Sequence, residues 1–319
     1  MHWLAELDGH SVTVEVPATV ANLGSGYDCL ALALSLVDTI EVEVRAFGRG
    51  SIELQVTGHG QGELVEDPDS PFMAGLRSAL ESGRGGVPED VGWRVSMTNH
   101  IPLARGLGSS AAAVVGGLLA GNAFTGDALD TDRLIGLATE IEGHPDNAAA
   151  ALLGGFAVVG PSDDGWRAIR FDVPRELRAV AFIPDRRLPT DEMRDVLPAA
   201  VPRVDAVANL GRLGLGVAGL ATGRYDLLRT LTVDRLHEPY RAKVYPELPA
   251  LVGAAREAGA IGACLAGAGS TVIAFADSLA AITRIEAAYL AVAADRDLDG
   301  KVEILTPRNK GASVTRRST

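Results

Sequence analysis

Apolar and polar residues alternate over 12–16 (VTVEV), 38–46 (DTIEVEVRA) and 51–57 (SIELQVT), and this period of two predicts half-buried strands. The pattern changes over 71–82 (PFMAGLRSALES), where apolar residues recur at helical spacing, and alternates again over 91–98 (VGWRVSMT). A glycine-rich stretch at 102–110 leads into a predicted helix of small residues running to about 124. Further helices are predicted over 131–142 and 145–153, and a strand over 155–160 (GFAVVG). The polar stretch 161–166 (PSDDGW) reads as a domain boundary. Beyond it the expectations are strands near 167–173 and 178–183, a helical middle over about 190–230, and a strand near 270–276. The polar tail 307–319 is expected to fray. Strands followed by helices in each half make the expected class α+β, with domains at 1–160 and 161–319.

A chain of 319 residues fits two domains, and 47 % hydrophobic with 22 % charged residues is ordinary globular composition. The formal net charge of −12 argues against a nucleic-acid surface, which needs a basic stripe. No basic start precedes an apolar core at the N-terminus, and no run of about 18 apolar residues occurs, so no membrane association and a cytoplasmic location are expected. Cys29 and Cys264 lack metal-ligand spacing and are expected to be packed thiols. The only lysines are Lys243, Lys301 and Lys310. A bound phosphate would therefore be met by arginine, a metal ion or backbone N–H groups.

Those backbone donors have an obvious source in Pro102-Leu103-Ala104-Arg105-Gly106-Leu107-Gly108-Ser109-Ser110-Ala111-Ala112. Its glycines let the chain turn N–H groups toward a ligand, and the helix that follows presents its N-terminus to an anion. No Lys-Ser or Lys-Thr pair closes the loop, so it is not a Walker A sequence. A literal G-x-G-x-x-G at Gly214, Gly216 and Gly219 has no strand ahead of it and is expected to pack a helix rather than bind a dinucleotide.

The stretch Pro102–Ala112 resembles the second motif of the GHMP kinase superfamily, P-x-x-x-G-L-G-S-S-A-A. Residues 17–34 (PATVANLGSGYDCLALAL) are similar to the first motif in its homoserine kinase form, and 262–271 (GACLAGAGST) to the glycine-rich third. Three further stretches point to the homoserine kinase branch: EGHPDN at 142–147, LPTDEMR at 188–194 and HEPYR at 237–241. The chain departs from the pattern at Val20 and Ser25, and at Ala266 and Ser270, where the third motif usually carries Ser and Pro.

The resemblance implies a two-domain α+β fold, with an N-terminal ribosomal-protein-S5-like domain, a ferredoxin-like C-terminal domain and the site in the cleft. It implies transfer of the γ-phosphoryl group of ATP, with Mg²⁺, to the side-chain hydroxyl of L-homoserine, a step of threonine biosynthesis. Pro102, Arg105, Gly106, Leu107, Gly108, Ser109, Ser110 and Ala111 would then surround the nucleotide phosphates, with Ser110 and Glu142 holding the metal. Glu140, two residues away on the same predicted helix, is the alternative ligand. Arg194 and Arg241 would clamp the substrate carboxylate, which guanidinium suits geometrically. Asp28 would take the ammonium, with Asn22, His144, Asn147, Thr190 and Gly267 alongside. Asn22, Asp146 and Arg194 are the residues carried over as catalytic. Asp146 matches the aspartate that other branches use as a base, and its role here stays open. The alternatives weighed are a mevalonate-type kinase and a catalytically silent ligand-binding regulator. A homodimer is an open expectation, since dimers are the commonest assembly.

Overall fold

The protein is described by a computed structural model that covers residues 2–86 and 91–317. Its strands are β1 Ser11–Asn22, β2 Gly26–Arg45, β3 Ile52–Gly58, β4 Gly92–Asn99, β5 Phe156–Ser162, β6 Gly165–Phe171, β7 Arg178–Pro184, β8 Gly262–Leu265, β9 Val272–Ala276, β10 Gly300–Leu305 and β11 Ser313–Arg317. The α-helices are α1 Pro71–Arg84, α2 Ser109–Phe124, α3 Thr131–Glu142, α4 Asp146–Leu153, α5 Thr190–Asp195, α6 Arg203–Thr222, α7 Leu228–Leu231, α8 Glu238–Arg241, α9 Leu248–Glu257 and α10 Leu279–Asp295.

Two sheets organise the chain. The first runs β11-β1-β2-β4-β3, with β5 and β6 branching from β2. The second runs β10-β7-β9-β8, all antiparallel. Helices separate β7 from β8, and α10 separates β9 from β10, which is the β-α-β-β-α-β order of a ferredoxin-like unit. The expected α+β class with a ferredoxin-like second half therefore holds. The polar turn at 161–166 lies inside the β5–β6 hairpin of the first sheet. We therefore place the change of sheet between Phe171 and Arg178, with β11 returning to the first sheet.

The expected fraying of the tail is corrected: residues 313–317 pair antiparallel with β1 from Ser11↔Arg317 to Glu15↔Ser313, and Ser318 and Thr319 lie outside the described residues. The polar sequence of this strand misled because it is an edge strand whose side chains stay largely in water. The alternation at 38–46 marks only the second half of β2. Its first half and β1 beyond Val16 lack alternation because both faces are covered there, by α2 and α4 on one side.

Small residues on α2 set how closely α1 approaches. A Cβ on Gly117 would lie 2.0 Å from the Phe72 carbonyl oxygen and 2.7 Å from Leu76 N. Gly117→Ala should destabilise the protein by about 1–3 kcal/mol in denaturant unfolding, because backbone must move. Gly211→Ala, on α6 with nothing within 4 Å of its Cβ, should instead stabilise by roughly 0.5–1 kcal/mol. The Gly214-Gly216-Gly219 run lies within this helix, away from any strand-to-helix turn, with Gly216 against Leu231 and Gly219 against Leu227. Among the described residues α6 is the one helix long and apolar enough by composition to cross a membrane, at mean hydropathy 1.2. It carries Asp205, paired with Arg235, and Arg212, bonded to the Val233 carbonyl.

Candidate active site

The β1–β2 turn, the loop before α2, the α3–α4 junction, α5, α8 and the loop after β8 converge on one cavity of about 190 Å³. Asn22 and Asp28 flank the turn with φ of 70° and 54°, a left-handed conformation that Asn and Asp tolerate better than most side chains. Gly106 and Gly108 have φ of 75° and 76°. A Cβ on Gly106 would stand 2.1 Å from the Ala266 carbonyl oxygen, and one on Gly108 would stand 2.2 Å from Thr19 Oγ1. The second motif thus lies against the backbone of the third and a side-chain hydroxyl of the first, closer than any Cβ would allow.

Gly108 is the N-cap of α2 and no side chain caps that end. The N–H groups of Ser109, Ser110 and Ala111 belong to the first turn, which has no intrahelical acceptor for them, and these residues line the cavity. A helix N-terminus with free donors favours a phosphate. On its far side the loop borders a second cavity of about 230 Å³, and Ser109 and Ser110 line both. That cleft is apolar, lined by Ile52, Leu54, Phe72, Met73 and Met97, with Leu64 and Val65 at its rim. These residues escaped the sequence reading. The available signal was an apolar pair, Leu64-Val65, inside an otherwise polar loop, where Val65 is 71 % exposed.

Ser110 Oγ donates to Glu142 Oε1 at 2.7 Å, and both residues line the first cavity. Glu140 faces Arg133 instead, at 3.5 Å. Asp146 is fully buried at the start of α4. Its Oδ1 lies 3.0 Å from His144 Nδ1 and accepts the Asn147 N–H at 2.8 Å, whereas Oδ2 is buried with no hydrogen-bond partner among the described residues. Burial opposes a charge on His144, but its hydrogen bond to Asp146 and the nearby carboxylates outweigh that, so its pKa lies above the ordinary imidazole value. Asn147 Oδ1 accepts from Thr19 Oγ1 at 2.8 Å.

Arg194 and Asp28 are paired with each other. Arg194 Nη2 donates to Asp28 Oδ1 at 2.7 Å, and Nη1 reaches both Asp28 Oδ2 at 3.2 Å and the Tyr27 hydroxyl at 3.0 Å. The Tyr27 ring has the Arg194 and Arg241 guanidinium carbons each 5.7 Å from its centroid. Arg241 is 1 % exposed. Its Nε donates to the Met193 carbonyl at 3.1 Å, and Nη1 donates to the Gly267 carbonyl at 2.9 Å and to His237 Nδ1 at 3.1 Å. His237 Nε2 in turn donates to the Gly24 carbonyl at 2.9 Å, and burial drives the His237 pKa down, so the ring is neutral. Only Nη2 of Arg241 is left to face the cavity among the described residues, so a two-pronged clamp is not available from this arginine.

Several sequence-derived site residues serve the frame. The Asn22 amide is used at both ends, with Nδ2 donating to the Gly267 carbonyl at 2.9 Å and Oδ1 accepting the Asp28 N–H at 3.0 Å. Leu107 is buried, and its carbonyl accepts the Thr19 N–H. Pro102 and Arg105 do not line the first cavity, and the Arg105 guanidinium turns toward the carbonyls of Pro184 and Asp185. Thr190 lines the cavity from the first turn of α5.

The chain matches the GHMP kinases N terminal domain over residues 74–155 and the GHMP kinases C terminal domain over 217–294. It is 38 % identical to a homoserine kinase of Caldicellulosiruptor bescii over 95 % of this chain and 96 % of that one. Identity to a Streptomyces coelicolor homoserine kinase is 45 %, over 84 % of this chain and 85 % of that one. The crystal structure of homoserine kinase from Cytophaga hutchinsonii superposes with a TM-score of 0.83 at 29 % identity, covering 96 % of this chain and 97 % of that one. On these matches, which span both halves of the chain, it belongs to the GHMP kinases, within their homoserine kinase family.

Proposed function

We propose that this protein transfers the γ-phosphoryl group of ATP to the side-chain hydroxyl of L-homoserine. The observation that carries the reading is the uncapped N-terminus of α2, set between an apolar cleft on one side and a charged cavity on the other. The purine occupies the apolar cleft, the phosphates lie along the N–H groups of Ser109 to Ala111, and the acceptor fills the cavity behind them. The relatives' names supply the acceptor, and the cavity's chemistry agrees with it, because an amino acid needs an anion, a cation and polar groups together.

Ser110 and Glu142 fit Mg²⁺, an ion that keeps several waters and needs few protein ligands. When bound, Mg²⁺ neutralises phosphate charge. Everything else is supplied by the chain, and phosphoryl transfer depends mainly on position and electrostatics. Asp146 Oδ2, buried and with no partner among the described residues, accepts a hydrogen bond from the acceptor hydroxyl and so directs the hydroxyl oxygen's lone pair at the γ-phosphorus. His144 holds the other oxygen and fixes the carboxylate's orientation. Arg194 and Asp28 exchange their mutual ion pair for the substrate carboxylate and ammonium, so each charge keeps a partner of opposite sign throughout.

The test is ADP release with homoserine, mevalonate and shikimate side by side. Turnover confined to homoserine is the expected result. Preference for mevalonate would assign the cavity to a carboxylate lacking an ammonium, and silence with all three would leave a ligand-binding regulator.

A further inference from the structure

The segment between β7 and α5 carries the acceptor side of the cavity, yet Asp185, Arg186 and Arg187 on it are exposed and only Leu188 is buried. Apolar packing therefore does little to set its position, and its hydrogen bonds must. Asp185 N–H donates to the Asp299 carbonyl at 2.9 Å, Arg186 donates to the Val244 carbonyl at 3.0 Å and Arg187 pairs with Glu63, whereas Arg105 is the residue that ties the segment's start to the loop before α2. Its Nε donates to the Pro184 carbonyl at 2.7 Å, its Nη2 to the Asp185 carbonyl, and its Nη1 to the Leu103 carbonyl at 3.3 Å. All three guanidinium nitrogens are engaged with backbone oxygens, and the side chain lines neither the phosphate cavity nor the apolar cleft. The Arg105 carbonyl meanwhile accepts the Thr271 N–H at 3.1 Å from the third glycine motif. Nearby, Leu188 N donates to the Ala104 carbonyl at 3.4 Å, and the Ser270 hydroxyl donates to the Arg186 carbonyl. One residue of the phosphate loop thus ties together the second motif, the third motif and the strap that leads to Thr190 and Arg194.

Resting on the homoserine kinase reading above, we infer that Arg105 is a positioning residue for the acceptor and not a phosphate ligand. It sets α5 at a fixed distance from the phosphate loop, so that the acceptor hydroxyl rather than water meets the γ-phosphorus. The requirement is strict, because reacting atoms must approach to about 3–3.5 Å and a misplacement of about 1 Å costs on the order of a hundredfold in rate. A guanidinium suits the task since its planar fork holds two successive carbonyls in a fixed geometry, whereas an ammonium is a flexible point charge without that fork.

Arg105→Ala and Arg105→Lys separate this role from phosphate binding. The readouts are the ATP dissociation constant, the homoserine KM and kcat, and the ratio of ADP to phosphorylated acceptor. Expected for Arg105→Ala are a ten- to hundredfold fall in kcat/KM for homoserine, an ADP-to-product ratio above one, and ATP affinity within about twofold of wild type. Millimolar guanidinium should restore part of the coupling, and Arg105→Lys should lie between the two. A tenfold loss of ATP affinity with the product ratio held at one would make Arg105 a phosphate ligand and overturn the inference, as would unchanged values throughout. Should Arg105→Ala lower the melting temperature, the Arg105→Lys ratio and the guanidinium response decide. Wild-type inactivity toward homoserine would instead sink the substrate assignment, so the two failures are distinct.

Discussion

Glu142→Gln should lower kcat by about a hundredfold or more while leaving the fold and the apolar cleft intact. The substitution keeps the shape of the side chain and its contact to Ser110, whose Oγ sits 2.7 Å from Oε1, and removes only the charge. A metal that neutralises phosphoryl oxygens contributes several kcal/mol to the transition state, and each 1.4 kcal/mol or so is tenfold in rate. The variant's Mg²⁺ requirement should also shift to higher concentration. Glu140→Gln serves as the control, because Glu140 pairs with Arg133 on an exposed helix face and should leave turnover within about twofold of wild type. A Glu142→Gln enzyme near wild-type kcat, with Glu140→Gln impaired, would reverse the assignment.

Arg194→Ala should reduce kcat/KM for homoserine roughly ten- to a hundredfold, since one charge-assisted contact is worth about 1.5–3 kcal/mol, with the KM for ATP little changed. The Arg194–Asp28 pair adds a sharper expectation. Losing either partner leaves the other charge half-buried and uncompensated before substrate arrives, so the effects of Arg194→Ala and Asp28→Asn should be non-additive in a double-mutant cycle. Arg194→Lys should recover only part of the loss, because an ammonium keeps the charge and loses the planar fork that meets a carboxylate at two points. Arg241→Ala should behave differently. It removes donors from the Met193 and Gly267 carbonyls and from His237, so a lowered melting temperature should accompany any change in KM. Unchanged homoserine kinetics in Arg194→Ala, or parallel losses for ATP and homoserine, would remove this pocket as the carboxylate site.

Much of this was legible in the order of residues. The glycine-rich loop before α2 could be read because its backbone demands are local: Gly106 and Gly108 adopt positive φ and lie against backbone or a hydroxyl, which excludes any side chain. The strands at β3 and β4, and helices α1 and α3, followed from periodicity, since one covered face and one wet face impose it, whereas α2, buried nearly all round, was read from its run of small residues after the glycine-rich loop. Where both faces are covered, as in β1 past Val16 and the first half of β2, periodicity vanished and the strands were missed. The apolar cleft was missed for a related reason, because its lining comes from β3, β4, α1 and the loop at 64–65, and no single stretch announces it.

The chain's residue types and their spacing determined that a glycine-rich loop ahead of a small-residue helix, a carboxylate pair and two arginines would be present. Only the tertiary structure decided which of them face the cavity. Asn22 finds Gly267, Arg105 finds Pro184, and Arg194 finds Asp28, contacts that span 245, 79 and 166 residues of chain. A guanidinium or amide binds whichever carbonyl or carboxylate packing brings within about 3 Å, and a motif read along the chain contains no information on that distance. Local backbone conformation is specified by the residues that adopt it, whereas the partner of a long polar side chain is specified by the packing of segments remote in sequence.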